Sequence, residues 1–209
     1  MILTPGVPGV AFGTIADGDG RTDLNAREAI AAELGISSDW ALMNQVHGSR
    51  VVSVSTPGSV GEADGLATTV PMLALVAGTA DCVPVGLVGD HSVAVVHAGW
   101  RGVASEIIVN AIDAIVGFRD HPHTAVIGPH IGPCCYEVGD DVVEAIGGYT
   151  STTTWGTQSV DLAAAMRDQL GEIKTVHVGG CTRDDVRFAS HRENGTKRRQ
   201  VAVVWIPQD

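Results

Sequence analysis

Three side chains suited to metal chemistry stand out in this chain. They are His47 in Asn44-Gln45-Val46-His47-Gly48, Cys82 in Thr79-Ala80-Asp81-Cys82-Val83-Pro84-Val85, and His97 in His97-Ala98-Gly99-Trp100-Arg101-Gly102. One thiolate and two imidazoles supply three zinc ligands and leave the fourth tetrahedral corner to water or substrate, as catalytic rather than structural zinc sites do. Hydrolysis or group transfer is the chemistry such a centre serves. Taken singly, the residues read more plainly. Cys82 suits a buried free thiol in a valine-rich strand, and His97 suits a core histidine with its hydrogen bonds met. Intervals of 34 and 14 residues match no compact zinc-finger pattern, so the functional case rests on local sequence.

The neighbours of the trio add further candidates. Gly99-Trp100-Arg101-Gly102 stands directly before the strongest helical pattern, where free backbone N–H groups favour an anion and Arg101 adds a planar two-toothed donor for phosphate. Asp81 adjoins the cysteine. Strand alternation would turn it to the opposite face, and its expected work is proton transfer or the orienting of a histidine ligand. Asn44 suits a ribose or base contact, or else a turn. His130 and Cys134-Cys135-Tyr136-Glu137 occupy a Gly/Pro-rich loop that can wall a pocket. For Cys134 and Cys135 simple packing is the plain reading, and service as a second metal ligand the other. Cys181, after Gly179-Gly180, reads as structure near the site, and His121-Pro122-His123 as an exposed turn.

These residues need elements to hold them. Asp23 caps a helix expected over 24–34, with Leu24, Ala31 and Leu34 on one face and Gly35 ending it. Alternation predicts a strand over 50–55, and short β-branched runs predict buried strands over 72–77, 83–88 and 92–96. The ligand candidates fall where such strands meet loops. Val103, Ile107, Ile108, Ala111, Ile112 and Ile115 recur at helical spacing and predict one helix over 103–116. A strand over 124–127, helices over 140–146 and 160–170 (the latter capped by Ser159), and strands over 175–178 and 200–206 complete the pattern. Helices interleaved with strands, some lacking a helical crossover, predict one α/β domain over 1–209, an α/β sandwich on a mixed β-sheet.

Composition narrows the partners. The 209 residues are 44% apolar, enough for a full core, and the formal charge of −11 opposes nucleic acid or an anionic membrane, both of which require a basic face. The segment 1–9 lacks a positive n-region and carries two prolines, so it makes a poor signal peptide. The longest apolar stretch, 71–88, is broken by Gly78, Thr79, Asp81, Pro84 and Gly86, unlike a membrane span. A cytoplasmic protein acting on a small molecule is expected, its four cysteines free or metal-bound.

Five local sequences in register carry a more specific signal: Asn44-Gln45-Val46-His47-Gly48, Ala63-Asp64-Gly65-Leu66, Ala80-Asp81-Cys82-Val83-Pro84, His97-Ala98-Gly99-Trp100-Arg101-Gly102, and Ile127 to Gly139 with its Gly-Pro-Cys-Cys-Tyr-Glu-Val core. Together they closely resemble the laccase-domain family, also called multicopper polyphenol oxidoreductases, whose members are described as purine nucleoside phosphorylases or peptidoglycan editing factors. The resemblance implies a metal triad of His47, Cys82 and His97. It also implies zinc-dependent phosphorolysis or deamination of adenosine, inosine or methylthioadenosine, with phosphate as co-substrate. The family pattern of paired arginines followed by Thr-Gly-Arg is altered here. Ser190 to Arg199 keeps Arg192, a candidate substrate contact, and Arg199, but has Glu193 and Arg198 in place of an arginine and a glycine.

Other readings use the same residues. A Cys82 nucleophile with His97 as base would attack an amide such as a peptidoglycan precursor. A His/Cys/His set can also hold one copper of the electron-transfer kind, although a multicopper cluster needs paired histidines and only His121 and His123 are so spaced. A partner-binding module would hold metal without turnover. The reading adopted is a metal-dependent purine nucleoside enzyme with one zinc, phosphorolysis ahead of deamination, and Asp81 and Arg101 as its catalytic residues.

Overall fold

The computed structural model describes residues 1–208. The chain opens with short strands β1 (Ile2–Leu3) and β2 (Val10–Phe12) before helix α1 (Leu24–Leu34). Asp23 caps that helix by accepting from the amides of Asn25 and Ala26, and Gly35 ends it in the left-handed conformation. The boundaries are those expected, and of the expected inward face Ala31 and Leu34 pack on the core while Leu24 does not. Ile30 and Ala31 are buried while Leu24 is 66% exposed. Trp40 and the sheet below lie against Ile30 and Ala31, so packing rather than helical period decides which residues go in.

Six strands follow: β3 (Ala41–Asn44), β4 (Val51–Ser53), β5 (Gly58–Glu62), β6 (Gly65–Thr68), β7 (Leu75–Thr79) and β8 (Val83–Val88). Then come β9 (Val93–Ala98), α2 (Trp100–Ala104), α3 (Ile107–Gly117), β10 (Thr124–Ile127), α4 (Asp140–Ile146), β11 (Thr150–Thr152) and β12 (Gln158–Val160). The described chain closes with α5 (Leu162–Leu170), β13 (Lys174–His177), α6 (His191–Asn194) and β14 (Gln200–Val204).

The expected α/β sandwich is built on two mixed sheets. One has the order β1-β2-β14-β7-β3-β5, the other β13-β10-β8-β9-β6-β4, and each combines parallel and antiparallel pairs. β11 and β12 form a separate pair. Strand alternation explains the layering. In the first sheet, Val10, Phe12, Leu75, Ala77, Ala202 and Val204 face the second sheet, while Ala11, Val76, Val201 and Val203 face α1. In the second sheet, Val93, Val95 and Val126 meet the first, while Val85, Leu87, Val96 and Ile127 face α3 and α5. The result is a mixed α/β molecule with helices outside two packed sheets.

Two corrections concern helices. The pattern read as one helix over 103–116 is split: α2 ends at Ala104 and α3 begins at Ile107, with Glu106 between them at φ 56°. The apolar period survives the break because Val103 and Ile107 face the same core, which is why the sequence conceals it. The helix placed over 160–170 starts at Leu162. Asp161, not Ser159, caps it by accepting from the Ala164 amide at 2.8 Å, and Ser159 belongs to β12.

Asp120, buried after α3, ties the β8–β9 turn to the approach of β10. Its carboxylate accepts from the Ser92 hydroxyl at 2.6 Å and from the amides of Asp90, His91 and His121. Burial opposes ionisation, but these donors outweigh it and hold the carboxyl far below its usual value of 3.8. A depressed folded value means that this stabilisation is complete above about pH 3.8 and drains away as pH falls further. Asp120→Ala is expected to cost about 2–4 kcal/mol at pH 7 by leaving buried donors unmet. The gap to wild type in denaturant titrations should narrow below pH 3.8, and a gap constant down to pH 2 would contradict the assignment.

Candidate metal centre and substrate cavity

Three times the chain crosses from the first sheet to the second, and each crossing contributes to one site. Residues 45–50 between β3 and β4 carry His47, residues 63–64 between β5 and β6 carry Asp64, and residues 80–82 between β7 and β8 carry Asp81 and Cys82. His97 lies in β9, paired with Pro84 of β8. One ligand atom each from His47, Cys82 and His97 lies within 4.8 Å of the others, and the two imidazole rings meet edge to face at 4.9 Å. Gly99 makes room for them. A Cβ there would stand 3.0 Å from the His47 ring and 3.3 Å from the Cys82 sulfur.

Asp64 organises the centre, and the sequence reading gave it no role. It is fully buried, and its carboxylate accepts from three successive amides, those of Val46, His47 and Gly48, at 2.7–3.2 Å. These bonds hold His47 in the left-handed region at φ 62°, a conformation that costs a non-glycine residue of order 1–3 kcal/mol. The same carboxylate lies 2.8 Å from His97 Nδ1. It fixes the tautomer with the proton on Nδ1 and leaves Nε2 free to ligate. Burial depresses His97 below its usual 6.5, so the ring is neutral at pH 7. Burial likewise opposes ionisation of Asp64, but the bonds from His97 and the Gly48 amide prevail and lower it. Only the spacing to its partners, 17 and 33 positions along the chain, hid this role.

The orienting carboxylate is therefore Asp64, not Asp81. Asp81 sits at φ 87° in the β7–β8 turn, so the chain twists there instead of alternating. Its Oδ1 accepts from the Thr182 hydroxyl and its Oδ2 from the Arg192 amide, both at 2.7 Å. Burial, then the Asp81 charge, pushes the Cys82 thiol up to about 12. A free nucleophilic cysteine needs the opposite shift, whereas a bound cation removes the thiol proton outright.

A cavity of about 520 Å³ opens beside the three ligands. Asn44, Asp81, Arg101 and Arg192 line it, as expected. So does Tyr136, from the loop expected to wall a pocket, together with Arg21, Gln45, His191, Lys197 and Arg199, which sequence reasoning did not place there. Arg21 is held by the Asp19 carboxylate and donates to Gln45, whose amide group also bonds both the N–H and C=O of Gly78. Arg101 belongs to the five-residue helix α2 rather than to a turn ahead of a long helix, and its guanidinium stacks on Trp100 at 4.2 Å. Arg192 lies over the Tyr136 ring at 4.7 Å.

His130 is not in the cavity. Its Nδ1 is 2.8 Å from the Gly128 carbonyl and its backbone bridges to Cys181. The altered C-terminal segment divides cleanly. The retained Arg192 and Arg199 face the cavity, while Glu193 and Arg198 line a separate hollow and Glu193 pairs with Arg183 at 3.1 Å. Among the described residues, no helix is long and apolar enough to cross a membrane.

The chain is similar in sequence and fold to several known proteins. A protein named purine nucleoside phosphorylase from Mycobacterium tuberculosis is 35% identical over 194 residues, covering 86% of this chain and 78% of its own. Another of that name from Deinococcus radiodurans is 35% identical, covering 91% and 79%. The crystal structure of YlmD from Geobacillus stearothermophilus superimposes with a TM-score of 0.85 at 27% identity, covering 98% of this chain and 94% of that one. YfiH from Bacillus licheniformis gives 0.78 at 26% identity, covering 90% and 82%. The family model for multi-copper polyphenol oxidoreductase laccase matches residues 13–207, and the chain belongs to that family.

Proposed function

We propose that this chain is a zinc-dependent purine nucleoside phosphorylase, acting on adenosine, inosine or methylthioadenosine, with deamination of adenosine as a lesser activity. The observation that carries the reading is the His47–Cys82–His97 trio opening onto a cavity rimmed by Arg21, Arg101, Arg192, Lys197 and Arg199. The names of its relatives support it.

The donor set suits zinc. A thiolate with two neutral imidazoles favours a borderline-soft ion over magnesium or calcium, and Asp64 presets one imidazole with its Nε2 bare. When bound, such an ion supplies Lewis acidity with one coordination position left to a substrate atom. A multicopper cluster would need several closely paired histidines. Among the described residues, the two groups able to hold a metal contain only His47 and His97.

In phosphorolysis a phosphate oxygen bonds to the anomeric carbon of the ribose while the glycosidic bond breaks. Its electron pair leaves with the purine, which takes up a proton. The cationic rim holds phosphate against that carbon, and Arg101 is its planar donor. Asp81 lines the cavity and accepts one bond on each oxygen, from the Thr182 hydroxyl and the Arg192 amide, so it fixes the loop of Arg192 and keeps a free lone pair on each oxygen for moving a proton. Asn44, exposed at the end of β3, offers donor and acceptor to the ribose or base.

Zinc-loaded protein incubated with adenosine should yield adenine and ribose 1-phosphate only when phosphate is present. Inosine and ammonia at a rate indifferent to phosphate would put deamination first, and no turnover of any purine nucleoside would overturn the reading. His47→Ala, Cys82→Ala and His97→Ala should each remove one zinc equivalent per chain together with activity, as read by elemental analysis. Full zinc content in Cys82→Ala would dismiss the trio as the metal site.

A further inference from the structure

A second group of metal ligands lies outside the cavity. Cys134 and Cys135 in the loop after β10, and Cys181 and Asp184 in the loop after β13, each present one atom within 4.8 Å of the other three. Because β10 and β13 are parallel neighbours, both loops leave the same end of the second sheet. The Asp184 carboxylate accepts from the Cys135 thiol at 3.1 Å and from the Cys134 thiol at 3.5 Å. The Gly132 amide donates to the Cys181 sulfur at 3.3 Å. Gly132 packs close against the group, where a Cβ would stand 3.2 Å from the Cys134 sulfur and 3.8 Å from that of Cys181. Backbone therefore closes one side of the group. Asp184 is exposed and leaves the other side open to an arriving ion.

We propose that Cys134, Cys135, Cys181 and Asp184 form a structural zinc site, distinct from the His47–Cys82–His97 centre. Tetrahedral zinc with three sulfurs at about 2.3 Å and one oxygen at about 2.0–2.2 Å has donor edges of roughly 3.5–3.8 Å, which this group reaches with small side-chain shifts. Four protein ligands leave no open position, the mark of a structural rather than catalytic zinc. Three sulfurs exclude magnesium and calcium, which take oxygen ligands. All four cysteines of the chain are free thiols. Binding releases the protons of three of them, and the amide-to-sulfur bond from Gly132 offsets the thiolate charge.

The site would staple one wall of the cavity. Thr182, next to Cys181, donates to Asp81, and Tyr136, next to Cys135, lines the cavity beneath Arg192. Both ligand loops thus carry a residue that shapes the substrate space, although no ligand of this second ion touches it.

The proposal does not depend on the purine reading, and its test uses no nucleoside. Zinc content after gel filtration should be two equivalents per chain in wild type, one in Cys82→Ala and one in Cys181→Ser. Since Cys181→Ser can fail to fold, the folded Cys82→Ala protein carries the decisive measurement. Loaded with cobalt, it should show a strong thiolate-to-cobalt charge-transfer band that weakens in the added Asp184→Asn variant, and metal should protect all three remaining thiols from alkylation. A folded Cys82→Ala protein that retains neither zinc nor cobalt overturns the proposal. So does a disulfide among Cys134, Cys135 and Cys181 in the intact mass of the purified protein.

Discussion

Asp64→Asn is expected to weaken zinc binding at the His47–Cys82–His97 centre by about 10- to 100-fold, the usual effect of removing the partner that orients a metal-bound histidine. An amide has one acceptor oxygen where the carboxylate has two. Whichever way it lies, its NH2 group faces N–H donors that Asp64 now satisfies, either those of Val46 and Gly48 or those of His47 and His97. In the second case His97 moves its proton to Nε2 and can no longer ligate. The buried mismatch should also lower stability by about 2–4 kcal/mol. A competition titration with a chromophoric chelator reads the first effect and a denaturant curve the second. Lost stability with unchanged zinc affinity would reduce Asp64 to a loop anchor.

The second large effect concerns Arg101. If its guanidinium holds phosphate, Arg101→Ala removes a charge-assisted contact worth about 1.5–3 kcal/mol, or roughly 10- to 150-fold in phosphorolysis. Deamination consumes water and should change far less. The measurement is a pair of rates from one adenosine reaction, adenine with ribose 1-phosphate against inosine with ammonia, in wild type and Arg101→Ala over a range of phosphate. Selective loss of the adenine branch, partly recovered at high phosphate, is the expected result. Equal loss of both branches with zinc retained would move Arg101 from phosphate to the nucleoside or the scaffold.

Much of this arrangement was legible in the residues, for identifiable reasons. β10 falls within the expected bounds because it is a short, largely β-branched run buried on both faces, and β8 does so because its valines mark a buried strand in spite of Pro84 and Gly86. The α1 boundaries follow from a capping aspartate and a terminating glycine. β5 was missed because Gly58, Ser59 and Gly61 carry no strand pattern, and its place beside β3 is set by pairing. The division into two sheets was unreadable for a related reason. Val95 and Val96 look alike in sequence, yet one meets the other sheet and the other meets a helix. Local motifs pointed to the three candidate ligands, but the cavity's cations come from three distant stretches of chain, at Arg21, at Arg101, and at Arg192, Lys197 and Arg199. Such convergence is a property of the fold alone.

The three crossings between sheets have a mechanical consequence. Each spans only two to six residues, and together they supply His47, Cys82 and the carboxylate that presets His97, which itself belongs to the second sheet. An ion held there cross-links two slabs of structure at the places where the chain already stitches them together. Sliding one slab over the other would spread the donor atoms and break coordination, so the bound ion opposes shear of the whole sandwich and not merely local fraying. With the proposed ion in place the centre would act as a rivet, and loss of that metal would be felt as far away as β1 and β13, the outer strands at one edge of each slab.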